Sequence, residues 1–369
     1  MQEAQIGLSK EGNDETFSRR RSRIDHLMTR LSKKVAIIGA GFSGLSLCYH
    51  LLQRRTQVTL FDPKGIGGGA SGIASGLLHP YPGESARLSW KGKEAMLEAE
   101  RLIQRASETL GQDVARKEGI LRLALSDKQK NAFLQRAKSD DAVEWWDAER
   151  CHERVHGAHY CPGIFIRSGQ TVHPKLYLQG LWEVCEKLGA QLEKKEVEVD
   201  ALEGFDEVVI AAGSGIRKMK ECDHLNVKFN KGQLLACKKP SYFNPGFSLI
   251  GKGYLAMSEE NDRCYIGSTY EHEYHTEQPC MGHATEKIFS QIGQFLPSYG
   301  AFEVAECLSG MRVANRKSYH PIVGKLREGV WVLTAMGSRG LLYHGLMGKV
   351  LAAAMVGNDP SLIPEEVRL

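Results

Sequence analysis

The nine cysteines of this 369-residue chain include no CxxC pair, and their number is odd. A disulfide framework is therefore not expected, and scattered thiols such as Cys48, Cys151, Cys185 and Cys264 suit a reducing compartment. No apolar run approaches the ~18–20 residues that a bilayer-spanning helix needs. Charge of one sign is also scarce: 48 Lys and Arg against 44 Asp and Glu leave a net +4, which permits an anionic partner without demanding one. No repeat or low-complexity stretch occurs. His272, His275 and Cys280 lack a fourth ligand at standard spacing, so no metal site is expected. These absences predict a soluble, cytoplasmic, globular protein.

What is present is glycine, 39 residues of it, gathered into particular loops. The length allows one nucleotide-binding domain with a second domain attached. Residues 1–32 precede any apolar periodicity and carry the basic cluster Arg19-Arg20-Arg21-Ser22-Arg23. Glu3, Glu11, Asp14 and Glu15 argue against a transit peptide, so a disordered extension is expected, with a nucleic-acid arm as the alternative. Translation starting at Met28 is a further alternative.

Lys34–Ile38 reads as a buried parallel strand, and Gln57–Phe61 as a second one. A helix bearing Leu45, Leu47, Leu51 and Leu52 separates them, which makes a βαβ unit. Further along, helices are expected over 93–110, 128–138, 176–188, 284–295 and 341–356. Strands are expected over 119–125, 196–199, 207–211 and 330–334, with short antiparallel strands between 227 and 268. Nucleotide-type elements stand at the beginning, middle and end. The expectation is an α/β fold with interleaved domains. A Rossmann-type dinucleotide domain would take 33–92, 158–222 and 307–369. A mainly antiparallel α+β substrate domain would take 93–157 and 223–306.

Gly39-Ala40-Gly41-Phe42-Ser43-Gly44 is GxGxxG at the strand-to-helix junction. Gly39 permits the turn, Gly41 lets backbone approach a pyrophosphate, and Gly44 lets helix pack on strand. Asp62 closes the second strand 23 residues after Gly39, where a carboxylate accepts ribose hydroxyls and repels a 2′-phosphate. The small residues that follow, Gly67–Gly72 with Ala70 and Ser71, then Ala74-Ser75-Gly76, suit a loop along a flavin. Ala212-Gly213 ends the mid-chain strand in the same manner.

These stretches, in this order, resemble the FAD signature of the D-amino-acid oxidase and glycine oxidase superfamily, from about Lys34 onward. The resemblance implies FAD as cofactor and backbone contacts from Val197 to adenine. It also implies that Arg312, in Gly310-Met311-Arg312, grips a substrate carboxylate, a role that suits a planar fork of donors. Ser318 stands where relatives often carry aspartate. Gly337-Ser338-Arg339-Gly340-Leu341 places a helix N-terminus beside the flavin pyrimidine. It is similar to the FAD domain of the bifunctional tRNA 5-methylaminomethyl-2-thiouridine biosynthesis enzymes. Lys231-Gly232-Gln233 and Gly253-Tyr254-Leu255-Ala256 resemble segments of the same family.

That likeness implies oxidative removal of the carboxymethyl group from 5-carboxymethylaminomethyl(-2-thio)uridine at the tRNA wobble position, with O₂ or another acceptor reoxidising the flavin. Arg339 would hold a phosphate or the substrate carboxylate. The length leaves no room for a methyltransferase domain, so an oxidase half alone is expected. The alternatives are an oxidase or dehydrogenase of glycine, sarcosine or a D-amino acid, a non-catalytic flavin-bound module, and, most distant, an NAD-dependent dehydrogenase. His79 is a candidate for covalent flavin attachment but is expected to be a packed or hydrogen-bonding histidine. Trp145-Trp146 and Arg217-Lys218-Met219-Lys220 are expected as core packing and a solvated charge run rather than RNA contacts.

Overall fold

A computed structural model describes residues 33–369. The extension expected at 1–32, with its basic cluster, lies outside the described residues.

The chain opens β1 (Lys34–Ile38), α1 (Phe42–Leu52), β2 (Gln57–Phe61). Later come α2 (Gly92–Leu110), α3 (Pro174–Lys187), β3 (Glu207–Ile210), β4 (Val227–Lys238), β5 (Glu303–Asn315), β6 (Val330–Thr334) and α4 (Gly340–Gly357). A six-stranded sheet runs Ile322–Arg327, β6, β3, β1, β2, Gln191–Glu193. Its pairings are parallel except at the edge between Ile322–Arg327 and β6. The inner strands β1, β2, β3 and β6 are mostly apolar because both faces are covered. Val35 and Ile37 join one core with residues of α1, α2, α3 and α4, while Ala36 and Ile38 join a second with Phe61, Val208 and Val332.

The helices close that core by small-residue contact. Gly348 of α4 lies against Ser46 of α1, whose hydroxyl donates to the His344 carbonyl at 2.6 Å. Gly345 lies against the backbone of Glu98 in α2. Pro174 opens α3, where its missing N–H costs nothing. The apolar stretch Gly337–Gly357 corrects the expectation that no such run nears spanning length. It averages 1.3 in hydropathy over its best window, yet it is a core helix with Tyr343, Met347 and Leu351 fully buried.

An eight-stranded sheet runs β5, β4, Arg263–Gly267, Tyr254–Met257, Ser248–Ile250, Ile120–Leu123, Gly163–Ile166, Val143–Trp146. It is antiparallel but for the pairing of Ser248–Ile250 with Ile120–Leu123. The helix Met281–Ile292 covers it through Ala284, Ile288 and Ile292. A three-stranded sheet joins Leu77–Leu78, Gln170–Val172 and Ala115–Arg116.

Packing departs from the segment boundaries expected from sequence in three places. α2 buries Ala95, Ala99, Leu102 and Ile103 among the helices of the six-stranded sheet, not on the larger one. Gly163–Ile166 and the whole of β5 belong to the larger sheet. Amphipathic spacing shows that a helix has a buried face without naming the core that receives it. The strand expected at 196–199 is also misplaced: Gln191–Glu193 pairs with β2, and 196–198 is irregular.

Candidate active site

The carboxyl ends of β1, β3 and β6 open toward one cavity of about 380 Å³, and residues of β4 and β5 close its far side. Gly39, Gly41, Phe42, Ser43, Asp62, Ala70, Ser71, Gly76, Ala212, Gly213, Gly337, Ser338, Gly340, Leu341 and Arg312 all line it. Residues expected from separate stretches of sequence are thus brought together.

The turn at Gly39 has φ +113, and a Cβ there would collide with the Ala211 carbonyl. Gly44 faces no cavity; a Cβ on it would overlap the Gly39 carbonyl, so its work is helix-to-strand packing. Asp62 receives the Ala40 N–H at 2.9 Å and the Lys64 N–H at 2.9 Å. The two bonds fix the carboxylate at the strand end while leaving lone pairs for hydroxyls. Ser71 Oγ accepts the Phe42 N–H at 3.1 Å, which ties the second small-residue loop to the start of α1.

The chain at this cavity fits a dinucleotide. Neither α1 nor α4 has a side-chain cap or an acidic residue in its first turn. Apart from the Phe42 N–H, which Ser71 accepts, their first-turn N–H groups and positive dipole ends therefore remain for anionic groups. Thr334, 2% exposed at the end of β6, lines the cavity with its Oγ1 unpartnered among the described residues. These residues fit FAD: Gly39, Gly41 and Ser43 for the pyrophosphate, Asp62 for ribose, and Gly337 to Leu341 for the ring's polar edge.

At the opposite end lies Arg312. Its Nη1 donates to the Thr269 carbonyl at 3.2 Å and its Nη2 to Ser268 Oγ at 3.1 Å, and the group sits 5.8 Å from the Tyr270 ring centroid. No carboxylate pairs with it among the described residues. The register sets Asn230 opposite Arg312 and Gly232 opposite Gly310. Because position 232 has no side chain, the guanidinium occupies the volume a Cβ would take. Among the described residues, Asp62 and Arg312 are the only charged ones in the wall.

Besides Gly44, two expected residues are not in that wall. Val197 is half-buried against the apolar cluster of Phe61, Val199 and Val208. Arg339 lies between the lining residues Ser338 and Gly340 but is not itself in the wall: its half-buried side chain lies 5.0 Å from the Tyr319 ring centroid and hydrogen-bonds with Tyr343.

Sequence reasoning gave no role to Gln233, Tyr254, Ser268, Tyr270 or Thr334, all of which line the cavity. Gly232-Gln233 and Gly253-Tyr254 stood out only as motifs. Thr334 had a usable signal, its place at the carboxyl end of a parallel strand. Ser268 and Tyr270 carried none.

Behind the cavity, His344 is fully buried; its Nδ1 donates to the Leu341 carbonyl at 2.9 Å and its Nε2 accepts from Tyr177 Oη at 2.6 Å. Burial pulls its pKa down to about 4, so it is a neutral strut under the first turn of α4. His79 stands outside the cavity wall and accepts the Tyr81 N–H at 3.2 Å. Trp146 is buried and stacked 4.6 Å from Phe165. Arg217, Lys218 and Lys220 pair with Glu277, Glu196 and Asp200.

The family model for FAD dependent oxidoreductases (DAO) matches residues 34–354. Among curated proteins, a glycine oxidase of Bacillus licheniformis is 27% identical over 355 residues, covering 87% of this chain and 92% of the relative. The tRNA 5-methylaminomethyl-2-thiouridine biosynthesis bifunctional protein MnmC of Polaromonas naphthalenivorans is 26% identical over 385 residues, covering 90% of this chain and 58% of the relative. The chain thus spans less than two thirds of that bifunctional protein. The crystal structure of glycine oxidase from Geobacillus kaustophilus superposes with a TM-score of 0.76 at 20% identity, over 89% of this chain and 96% of that one. Iminodiacetate oxidase from Chelativorans sp. BNC1 gives 0.76 at 20%, over 90% and 98%. At such identity the superpositions speak to fold alone. The matched span, together with a cavity shaped for a dinucleotide, settles the family: this chain belongs to the DAO family of FAD-dependent oxidoreductases, and FAD is its cofactor.

Proposed function

We propose that the chain oxidises a secondary amine bearing a carboxymethyl group, and that its substrate is the 5-carboxymethylaminomethyl side chain of the tRNA wobble uridine. The observation that carries the amine reading is Arg312, a guanidinium with no carboxylate partner and no other cation beside it in the cavity wall among the described residues. Such a group calls for a carboxylate, which it binds through two parallel hydrogen bonds. The tRNA reading is supported by Gly337-Ser338-Arg339-Gly340-Leu341 and by the bifunctional tRNA relatives, matched over 90% and 96% of this chain.

In this reading the six-stranded sheet holds FAD and the eight-stranded sheet presents the substrate, with O₂ or another acceptor closing the cycle. When bound, FAD supplies a two-electron acceptor for the substrate's C–H bond. Arg312 fixes the carboxylate end, and Tyr254 and Tyr270 wall the space beside it. Among the described residues no His, Lys or Glu lines the cavity, and Asp62 stands at the ribose end, held by two backbone N–H groups. With no imidazole or amine in that wall to act as a base, the amine has to enter neutral, with its Cα–H leaving as hydride. Water then completes the change. The carboxymethylamine and one water become the primary amine and glyoxylate, with two electrons and two protons passing to the acceptor.

A second reading, oxidation of glycine or another small amine, is favoured by the glycine oxidase relative, which is matched over 92% of its length. Anaerobic addition of tRNA carrying 5-carboxymethylaminomethyluridine separates the two. Bleaching of the flavin bands with release of glyoxylate supports the wobble-uridine reading. Bleaching by glycine or sarcosine alone sinks it.

A further inference from the structure

We propose that the outer face of the Gly337–Leu341 loop is a platform for single-stranded RNA, built from Trp90, Tyr319 and His320 with the cations Lys91, Lys317 and Arg339. The inference rests on the wobble-uridine reading and says where on this chain the polynucleotide lies. Tyr319 is 80% exposed, high for an aromatic side chain, and the Arg339 guanidinium sits 5.0 Å from its ring centroid. Next to it, Trp90 and His320 lie 5.2 Å apart, and Lys91 sits 5.6 Å from the Trp90 ring. The patch is anchored rather than loose. Tyr343, in the first turn of α4, donates to the Trp90 carbonyl at 3.0 Å, and its ring lies 6.2 Å from that of Trp90.

Cations and open ring faces in one cluster are the combination that unpaired nucleotides take, bases stacking on rings and phosphates meeting guanidinium or ammonium groups. Lys317 and Arg339 have no carboxylate partner among the described residues, whereas Lys91 and His320 face the Glu366 carboxylate, to which Trp90 hydrogen-bonds. The cluster's place matters most. Arg339 is flanked by Ser338 and Gly340, both in the cavity wall, so a nucleotide held on Tyr319 leaves its neighbour at the cavity mouth. The candidates visible in the sequence, Trp146 and the basic run 217–220, are consumed by packing and ion pairs, which leaves this cluster for the role.

The test uses the FAD-loaded chain and an anticodon stem-loop carrying 5-carboxymethylaminomethyluridine, with binding read by fluorescence anisotropy. Tyr319→Ala is expected to weaken binding at least about fivefold, the low end for a lost stacking contact. Tyr319→Phe should restore it, and Lys317→Glu should weaken it while lowering the salt dependence. Turnover of the free modified nucleoside should stay at the wild-type rate in all three. Wild-type affinity for the stem-loop in both Tyr319→Ala and Lys317→Glu overturns the platform and leaves the wobble-uridine reading standing. A wild-type chain that turns over the nucleoside and does not bind the stem-loop overturns both.

Discussion

The Arg312 guanidinium rests over the Cα of Gly232, on the strand paired with its own. A methyl group at 232 meets only the far end of a flexible side chain, so Gly232→Ala should fold and displace the guanidinium. Loss of a charge-assisted hydrogen bond of roughly 1.5–3 kcal/mol lowers kcat/KM for a carboxylate substrate about 10- to 150-fold. The check is steady-state kinetics beside the visible spectrum, with bound FAD unchanged. Normal kinetics would show that the arginine's position is immaterial.

Arg312 itself should divide binding from charge. Arg312→Ala is expected to raise KM steeply with FAD still bound. Arg312→Lys, keeping the charge but losing the fork, should recover only part of the affinity. Full recovery by lysine would reduce the site to a point charge. An unchanged KM in the alanine variant would remove Arg312 from substrate binding.

Gly44→Val should fail at the cofactor. The first added carbon overlaps the Gly39 carbonyl, which is backbone and cannot swing away. The helix start must back off from the strand, carrying its N–H groups with it. The purified variant is expected to be colourless or to lose FAD on dialysis, and flavin fluorescence of the filtrate measures it.

The absence of His, Lys or Glu from the cavity wall carries a pH signature. On the acid side, kcat/KM should rise with pH to the pKa of the substrate's own amine, because only the neutral form reacts. Changing to an amine of lower pKa should move that limb by the same amount. A limb that stays put across substrates would identify a base on the protein.

Stability should also depend on pH. Burial lowers the pKa of His344 and His50 from 6.5 to about 4 and that of His79 to about 3. The unfolded chain binds these protons first, so the contribution is complete above 6.5 and is lost as the pH falls below it. Each group can add a slope of up to about 1.4 kcal/mol per pH unit. Urea midpoints between pH 7.5 and 5 should fall with acid, and His344→Gln should flatten the curve. A midpoint that holds or rises toward pH 5 would contradict these burials.

The βαβ unit was legible from sequence because its rules are local. A strand buried on both faces is apolar at every position, and the glycines of 39–44 answer to a turn within reach of their own neighbours. Arg312 was legible through its glycine-flanked motif. The rest depends on residues far apart in the chain. Asn230 meets Arg312 across 82 residues, and nothing near Ser268 or Tyr270 says that they will wall the same space. Arg339 shows the limit of a motif: its flanking residues line the cavity while its side chain turns to Tyr319. Val197 shows a different one: the edge strand forms a few residues earlier than the spacing predicts, and the Val197 side chain packs against Phe61, Val199 and Val208.

The six-stranded sheet draws its strands from residues 34 to 334, and the last helix against it ends at 357. During synthesis, the first nucleotide-binding strands emerge from the ribosome long before the two elements that complete their core. Until then β1 and α1 expose apolar surface that α4 completes the cover of. FAD capture therefore belongs to the end of synthesis, and the emerging chain should be a client for chaperones up to that point.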